Sequence, residues 1–338
     1  MARKKRKLTK KQRELRKRLY WSLLAVLIVF IFGYTIGKNG VDKEKWQETI
    51  DSWETRMTEW WNQNKKENTA EPSPASIRFL DVGQGSATLL QSKDGTTILI
   101  DTGRYDDKEK RILQYLDRYV GTGGKIDLLI FTHNDADHIG FGDQILSYYH
   151  VKEVWMNGID ATTKVYERVL DAVSDSGAVY AEPKAGEEKQ IGPFHLQVLN
   201  PVPDFTSDQN DNSISAKIEV NNTALMVTGD AASVVEKNIL KKNRSLESTF
   251  LLLGHHGSKY SSSSEWIRAV HPDIAIYSAG EQNVYGHPSP EMLDRVAAFQ
   301  IPVYGTDKNG TISILIDESG SYHVETEKGE GNDEDGTG

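Results

Sequence analysis

The sequence contains no cysteine. That absence excludes disulfides, thiolate nucleophiles and Cys-based zinc sites together, so any metal site has to be built from His and carboxylates. Basic residues are also scarce over most of the chain. Met1–Arg18 holds eleven Lys and Arg against the single Glu14, a local balance of +10 that leaves the rest of a −9 chain at −19. Non-specific nucleic-acid binding rests on basic surface, so a body this acidic is a poor general magnet for polyphosphate. A nucleic-acid substrate would have to be drawn by metal ions. Short repeats of the solenoid or propeller kind are absent as well.

With 338 residues the chain has room for one domain of average or large size plus appendages, and its 38% hydrophobic and 26% charged residues suit a soluble body. Charge is missing altogether from Leu19 to Ile36 (LYWSLLAVLIVFIFGYTI), close to the ~20 apolar residues that cross a bilayer, which predicts a transmembrane helix over 19–37. The run is longer than a usual signal-peptide core and no A-x-A-like site follows it, which argues for an uncleaved anchor. Residues 1–18 form a basic cytoplasmic segment, and the body should lie outside the cytoplasm, because Lys and Arg beside a first helix stay inside. In the stalk and linker over 38–75, Trp46, Ile50, Trp53, Met57 and Trp60 recur at 4-3-4-3 spacing and form one helical stripe. This is a candidate homo-oligomer contact, although about two heptads suit interfacial or intramolecular packing equally well. The acidic, Gly-rich segment 327–338 reads as a disordered tail.

Between these appendages lies a body over 76–326. Strand-like apolar runs punctuated by glycine open it (IRFLDVGQGSATLLQS, TTILIDTG), a helical stretch near Lys110–Tyr119 follows, and then IDLLIFTH. The second half repeats the theme with ALMVTGD, TFLLLGHHGS, DIAIYSAG and TISILID. This order predicts an α/β fold of two sheets covered by helices, a four-layer sandwich. In THNDADHIG, His133, Asp135, Asp137 and His138 fall at the end of an apolar strand. Alternate residues of extended chain share a face, and a turn brings Asp137 and His138 round to the same volume. Imidazole with carboxylate at this spacing suits zinc, manganese or iron. A solvated acidic loop is the plainer alternative, but it would leave unpaired charge at the end of a buried strand. Asp230 and the pair His255–His256 also sit at the C-terminal edges of apolar strands, where α/β folds place their sites.

LIDTG, THNDADHIG, TGD and GHHGS, in this order, resemble the successive motifs of the metallo-β-lactamase superfamily over Ile77 to about Val324. FLDVGQGSATLLQ, THNDADHIG, NDNSIS, LLLGHHGS and YGHPSP resemble more closely the hydrolase domain of ComEC-type DNA-uptake proteins. The resemblance implies an αββα sandwich, two divalent metal ions (zinc or manganese) and hydrolysis, commonly of phosphodiesters. Carried over residue by residue, it assigns His133 and Asp135 to one ion and Asp137 and His138 to the other. Asp230 bridges them and His256 completes the second site, with His255 as the alternative. It gives Asp101 a supporting place beside the ligands.

Three departures stand out. Asp135 occupies a position where β-lactam hydrolases have His, and no His lies near Asn210–Ser213, which leaves Asn212, Ser213 or water as substitutes. The more oxygen-rich pocket suits manganese as readily as zinc. Phe141 replaces the second glycine of the usual HIGG and should alter the helix entry more than the chemistry. Two ions can activate water at neutral pH and clamp the attacking and leaving oxygens, with Asp137 and His287 as the candidate catalytic residues. His287 could donate to a phosphoryl oxygen or protonate the leaving group, or merely order its Pro-rich loop. Gly83 and Gly85 read as a tight turn rather than a phosphate cradle, and Ser261–Ser264 as a flexible loop or helix start near the site rim. His150, His195, His271 and His323 lack any partner motif.

The expected function is a membrane-anchored, extracytoplasmic metal-dependent hydrolase, a phosphodiesterase or nuclease acting on a phosphodiester such as single-stranded DNA. The alternatives are hydrolysis of another extracellular phosphodiester or ester, or a non-catalytic metal-binding assembly protein. DNA translocation is not carried over, since the family links it to a many-helix channel and this chain has one predicted span. The topology is directly testable: protease added to cells stripped of their wall should digest the body, and a protected body would overturn the orientation.

Overall fold

The computed structural model describes residues 74–328, apart from 204, 205, 207, 243 and 244. The expected basic segment 1–18, the helix 19–37, nearly all of the stalk and linker 38–75 and all but the first two residues of the tail 327–338 lie outside the described residues. No described helix is long and apolar enough to cross a membrane.

In the first half the chain runs β1 (Ala75–Phe79), β2 (Thr88–Ser92), β3 (Thr97–Ile100), α1 (Arg111–Tyr119), β4 (Lys125–Ile126), β5 (Leu128–Ile130), α2 (Gly142–Tyr148), β6 (His150–Val151), β7 (Glu153–Trp155), α3 (Lys164–Ser176) and β8 (Val179–Ala181). The second half continues with β9 (Glu188–Ile191), β10 (Phe194–Asn200), β11 (Ser215–Val220), β12 (Thr223–Val227), α4 (Ser233–Lys242), β13 (Phe250–Leu252), α5 (Ser264–Val270), β14 (Ile274–Tyr277), α6 (Pro290–Ala297), β15 (Val303–Gly305), α7 (Thr306–Asn309), β16 (Ile312–Ile316) and β17 (Tyr322–Thr326). An eight-stranded sheet has the order β17-β16-β1-β2-β3-β5-β7-β8, and a seven-stranded sheet the order β15-β14-β13-β12-β11-β10-β9.

Each sheet is antiparallel at one end and parallel at the other. β3, β5, β7 and β8 run parallel in the first sheet, and β12, β13, β14 and β15 in the second. Parallel strands need crossover helices, and these helices cover the sheets. Period-two alternation then gives strands such as β3, β5, β12 and β13 an inner and an outer apolar face. Ile77, Phe79, Ile98, Ile100 and Ile130 from the first sheet meet Phe194, Leu196, Ile218, Val227 and Phe250 from the second in one core between the sheets. On the outer face of the second sheet, Met226 and Leu251 pack with Val235 and Ile239 of α4, Trp266 and Ile267 of α5, and Met292 and Val296 of α6. The result is the expected four-layer αββα sandwich.

Local chemistry sets the helix starts. Ser263 caps α5 by accepting from Trp266 N, and Ser289 caps α6 by accepting from Met292 N, with Pro290 in the first turn. Phe141 sits buried at the N-cap of α2 without any side-chain cap. Of the two readings of Ser261–Ser264, the structure shows the helix start and not the flexible loop, because Ser263 caps α5 and Ser264 opens it. Ser261 and Ser262 are fully buried. Ser261 Oγ donates to the Ala231 carbonyl at 2.9 Å, Ser262 Oγ accepts from Gly254 N at 3.0 Å, and the buried Glu236 carboxylate accepts from Ser262 N and Ser263 N. Arg295 Nη1 closes the network on the Ser261 and Ser262 carbonyls. Burial and hydrogen bonding hold these serines where composition alone allowed mobility.

Phe250 is fully buried in the inter-sheet core and meets the Tyr322 ring edge-on at 4.9 Å. Phe250→Ala should therefore lower the unfolding free energy by about 3–5 kcal/mol in equilibrium urea denaturation. A change below about 1 kcal/mol would contradict this placement.

Candidate metal centre

The C-terminal ends of parallel strands from both sheets meet at one edge of the sandwich. β3 delivers Asp101 and β5 delivers Thr132 and His133 from the first sheet. From the second, β12 delivers Asp230, β13 the pair His255–His256, and β14 the Ser278 carbonyl. The tight approach depends on Gly229, at φ +53°, where a Cβ would lie 2.7 Å from the Ser213 side chain and 3.0 Å from Thr132. Only glycine fits there. Gly85, at φ +126°, brings its bend against the ligand loop in the same way, since a Cβ would stand 2.4 Å from the Asp137 carbonyl. Gly83 and Gly85 lie in a bend of the chain, not in a hydrogen-bonded tight turn.

Asp230 is the hub. Its Oδ1 lies 3.2 Å from His138 Nε2, and its Oδ2 lies 3.5 Å from His255 Nε2, 3.6 Å from His256 Nε2 and 3.8 Å from His133 Nε2. Its backbone N–H donates to Ser213 Oγ at 3.1 Å. Asp137 Oδ2 stands 3.3 Å from His256 Nε2, and Asp135 Oδ2, on a half-exposed side chain, 3.6 Å from His133 Nε2. Two triads have ligand atoms mutually within 4.8 Å: His133, His138 and Asp230, and Asp137, His138 and His256.

The second layer fixes which ring nitrogens face inward. His256 Nδ1 donates to the Ser278 carbonyl at 2.9 Å, because a carbonyl only accepts, so Nε2 presents its lone pair to the site. His138 Nδ1 pairs with Asp101 Oδ2 at 2.7 Å, and that carboxylate also accepts from Thr132 N and Thr132 Oγ1, each at 2.8 Å. His138 and His256 then face each other Nε2 to Nε2 at 3.3 Å. Two lone pairs at that distance repel unless a proton or cation lies between. His133 Nε2, buried, has no hydrogen-bond partner among the described residues. A buried orphan nitrogen is costly, and these donors fit divalent metal ions well.

Proton affinities follow the same logic. Burial alone would raise Asp137, but the His256 hydrogen bond and the charges of His138 and His256 hold its carboxyl well below the usual range. Burial likewise opposes the ionisation of Asp230, and His138 and His256 overcome it. His138 and His256 are raised despite their burial, His138 by Asp230 and Asp101, His256 by Asp230 and Asp137. His287 moves the other way: burial, then the neighbouring His255 and His256, keep it neutral.

His256 rather than His255 therefore joins the ligand triads. Both adopt positive φ, +51° and +57°, a strained pair of turns held only because the surrounding network enforces it. His255 remains 31% exposed and belongs to neither triad, although its Nε2 lies 3.5 Å from Asp230 Oδ2 and its ring meets that of His256 edge-on at 6.0 Å. His287 lies at the rim, its ring 5.5 Å from His255 and 6.4 Å from His256. Neither substitute considered for the missing histidine joins a triad. Ser213 positions Asp230, and Asn212 Nδ2 donates to the Thr206 and Asp208 carbonyls. Thr132 and the Ser278 carbonyl went unnoticed in the sequence. Thr132 stands beside the first ligand of THNDADHIG, while Ser278 follows an apolar strand of the kind that carries Asp230 and His256.

A family model described as "Metallo-beta-lactamase superfamily" matches residues 80–281. ComE operon protein 3 of Bacillus subtilis is 30% identical over 254 residues, covering 71% of this chain and 33% of the relative. Recombination protein 2 of Haemophilus influenzae is 30% identical over 242 residues, covering 70% of this chain and 28% of the relative. The chain spans about a third of the length of these curated relatives. Among solved structures, the metallo-beta-lactamase fold protein YhfI from Bacillus subtilis aligns over 70% of this chain and 99% of its own, at 13% identity and a TM-score of 0.47.

Asp101 joins neither triad, yet its Oδ2 lies 2.7 Å from His138 Nδ1 and orients that ring. Asp101→Asn should weaken divalent-metal affinity by about 10–100-fold, measured by chelator competition, with the folded secondary structure retained. Unchanged affinity would show that the His138 orientation does not depend on this carboxylate.

Proposed function

The chain belongs to the metallo-β-lactamase superfamily, and from that premise we propose that it is a membrane-anchored, extracytoplasmic phosphodiesterase working with two zinc or manganese ions. The coarser assignment, a metal-dependent hydrolase, rests on the family and on the His and carboxylate donors. One observation carries the reading: His138 and His256 oppose their Nε2 atoms at 3.3 Å beside a buried, partnerless His133 Nε2, around the Asp230 carboxylate. The phosphodiester preference draws on Asp135, which makes the pocket richer in oxygen, and on the likeness to DNA-uptake hydrolase domains. Relatives named for competence and for recombination support the same class.

In this reading His133 and Asp135 would hold one ion and Asp137, His138 and His256 the other, with the Asp230 carboxylate available to both. Bound ions polarise the phosphoryl oxygens and lower the pKa of water. Asp101 and the Ser278 carbonyl keep the imidazole lone pairs turned inward, so little reorganisation is needed on binding. His287, held neutral at the rim, donates a ring N–H to a substrate oxygen. With so acidic a body, attraction of the phosphate falls to the centre itself. The tryptophan stripe before the body is the proposed contact with a second copy of the chain.

The full chain should hydrolyse bis(p-nitrophenyl) phosphate, with manganese more effective than magnesium because imidazole suits manganese better than the harder ion. His287→Ala should slow turnover by about a hundredfold while metal content stays the same. A metal-loaded protein that leaves phosphodiesters untouched but opens a lactone, thioester or β-lactam would overturn the substrate class.

A further inference from the structure

The outer wall of the centre carries a row of rings. His256 and His287 lie 6.4 Å apart with 27° between their planes, and Tyr285 continues the row 6.4 Å beyond His287 at 25°. Tyr285 sits 181 residues from Arg104 in sequence, and its hydroxyl accepts a hydrogen bond from Arg104 Nη1 at 3.2 Å. Asp106 anchors that guanidinium at 2.8 Å. A single side chain organises the loop: Asn283 Oδ1 accepts from Tyr285 N and His287 N, and its Nδ2 donates to the Gly280 and His287 carbonyls.

Tyr285 is thus positioned before any ligand arrives. A tyrosine serving only to close its loop would bury its ring, yet Tyr285 is 54% exposed and Val284 beside it 92% exposed. The ring has one side toward His287, its hydroxyl tied to Arg104, and much of its remaining surface in solvent. A rigid, amphipathic, half-exposed ring a short step from a phosphate-binding centre is the arrangement on which single-stranded nucleic acids stack their bases, and every base offers a π-face to it.

We propose that Tyr285 is the stacking platform for the nucleobase next to the phosphate at the metal centre, which makes the substrate a nucleotide or single strand rather than a base-free phosphodiester. The inference rests on the phosphodiester reading of the centre. Stacking also answers the acidity of the body, since it supplies affinity that does not depend on Lys or Arg contacts with phosphate.

The test compares two probes that differ only in the base, deoxyadenosine 5′-monophosphate and 2-deoxyribose 5-phosphate, bound to the manganese-loaded full chain by calorimetry. The unmodified chain should bind the nucleotide roughly five- to a hundredfold more tightly. Tyr285→Ala should lose that preference, whereas Tyr285→Phe, which keeps the ring, should retain it. Equal affinity for both probes in the unmodified chain would overturn the proposal, as would a preference that survives Tyr285→Ala or vanishes in Tyr285→Phe. Failure of the phosphodiesterase reading would appear separately, as absent turnover of bis(p-nitrophenyl) phosphate by the same preparation.

Discussion

Asp230, only 5% exposed, holds its carboxylate within 3.2–3.8 Å of four imidazole nitrogens. Those imidazoles come from both sheets: His133 and His138 follow β5 in the first, and His255 and His256 follow β13 in the second. One buried charge therefore requires the C-terminal ends of two sets of parallel strands to meet at the same edge of the sandwich. The apolar core between the sheets, from Ile77 and Ile130 to Val227 and Phe250, sets the spacing at which they do so. Packing and electrostatics are thus coupled at the seam, and a shift of either sheet would leave a carboxylate or an imidazole buried without its partner.

The same constraint holds several residues of strained backbone at this edge. Asp101, His255 and His256 are all non-glycine residues at positive φ. Each strained residue costs on the order of 1–3 kcal/mol and persists only where the surroundings over-determine it. Thr132 and His138 pin Asp101, while the Glu236, Ser262 and Arg295 network braces the segment that follows His256. Rigidity in the second layer keeps the lone pairs of His138 and His256 aimed at each other at 3.3 Å. A centre arranged this way resists collapse onto itself and stays ready for a cation.

Much of the centre was legible from sequence, because its ligands sit at the ends of apolar runs, where strand periodicity breaks and polar residues have no structural reason to be. His133, Asp230 and His256 follow that rule, and the runs themselves foreshadowed the two-sheet sandwich. The preference for His256 over His255 came from the family resemblance alone, since the geometry behind it depends on two successive left-handed residues. The role of Ser213 was not legible, since its Oγ meets the Asp230 backbone 17 residues away and so orients a ligand instead of replacing one. Ser263 and Ser264 make the helix start that the sequence allowed, but the burial of Ser261 and Ser262 was not legible. A serine run reads as solvated until a buried carboxylate and a guanidinium from distant helices satisfy its backbone. Contacts between residues far apart in the chain, such as Arg104 with Tyr285, leave no periodic trace to read.

The central claim is that Asp230 is shared by two ions rather than serving one. Electron paramagnetic resonance of the chain titrated with manganese addresses it directly. Sharing predicts that the signal of isolated ions gives way to an exchange-coupled spectrum as the second ion binds, and that Asp230→Asn abolishes the coupling. A spectrum of isolated ions at full loading would contradict the shared carboxylate and, with it, the two-ion account of the centre.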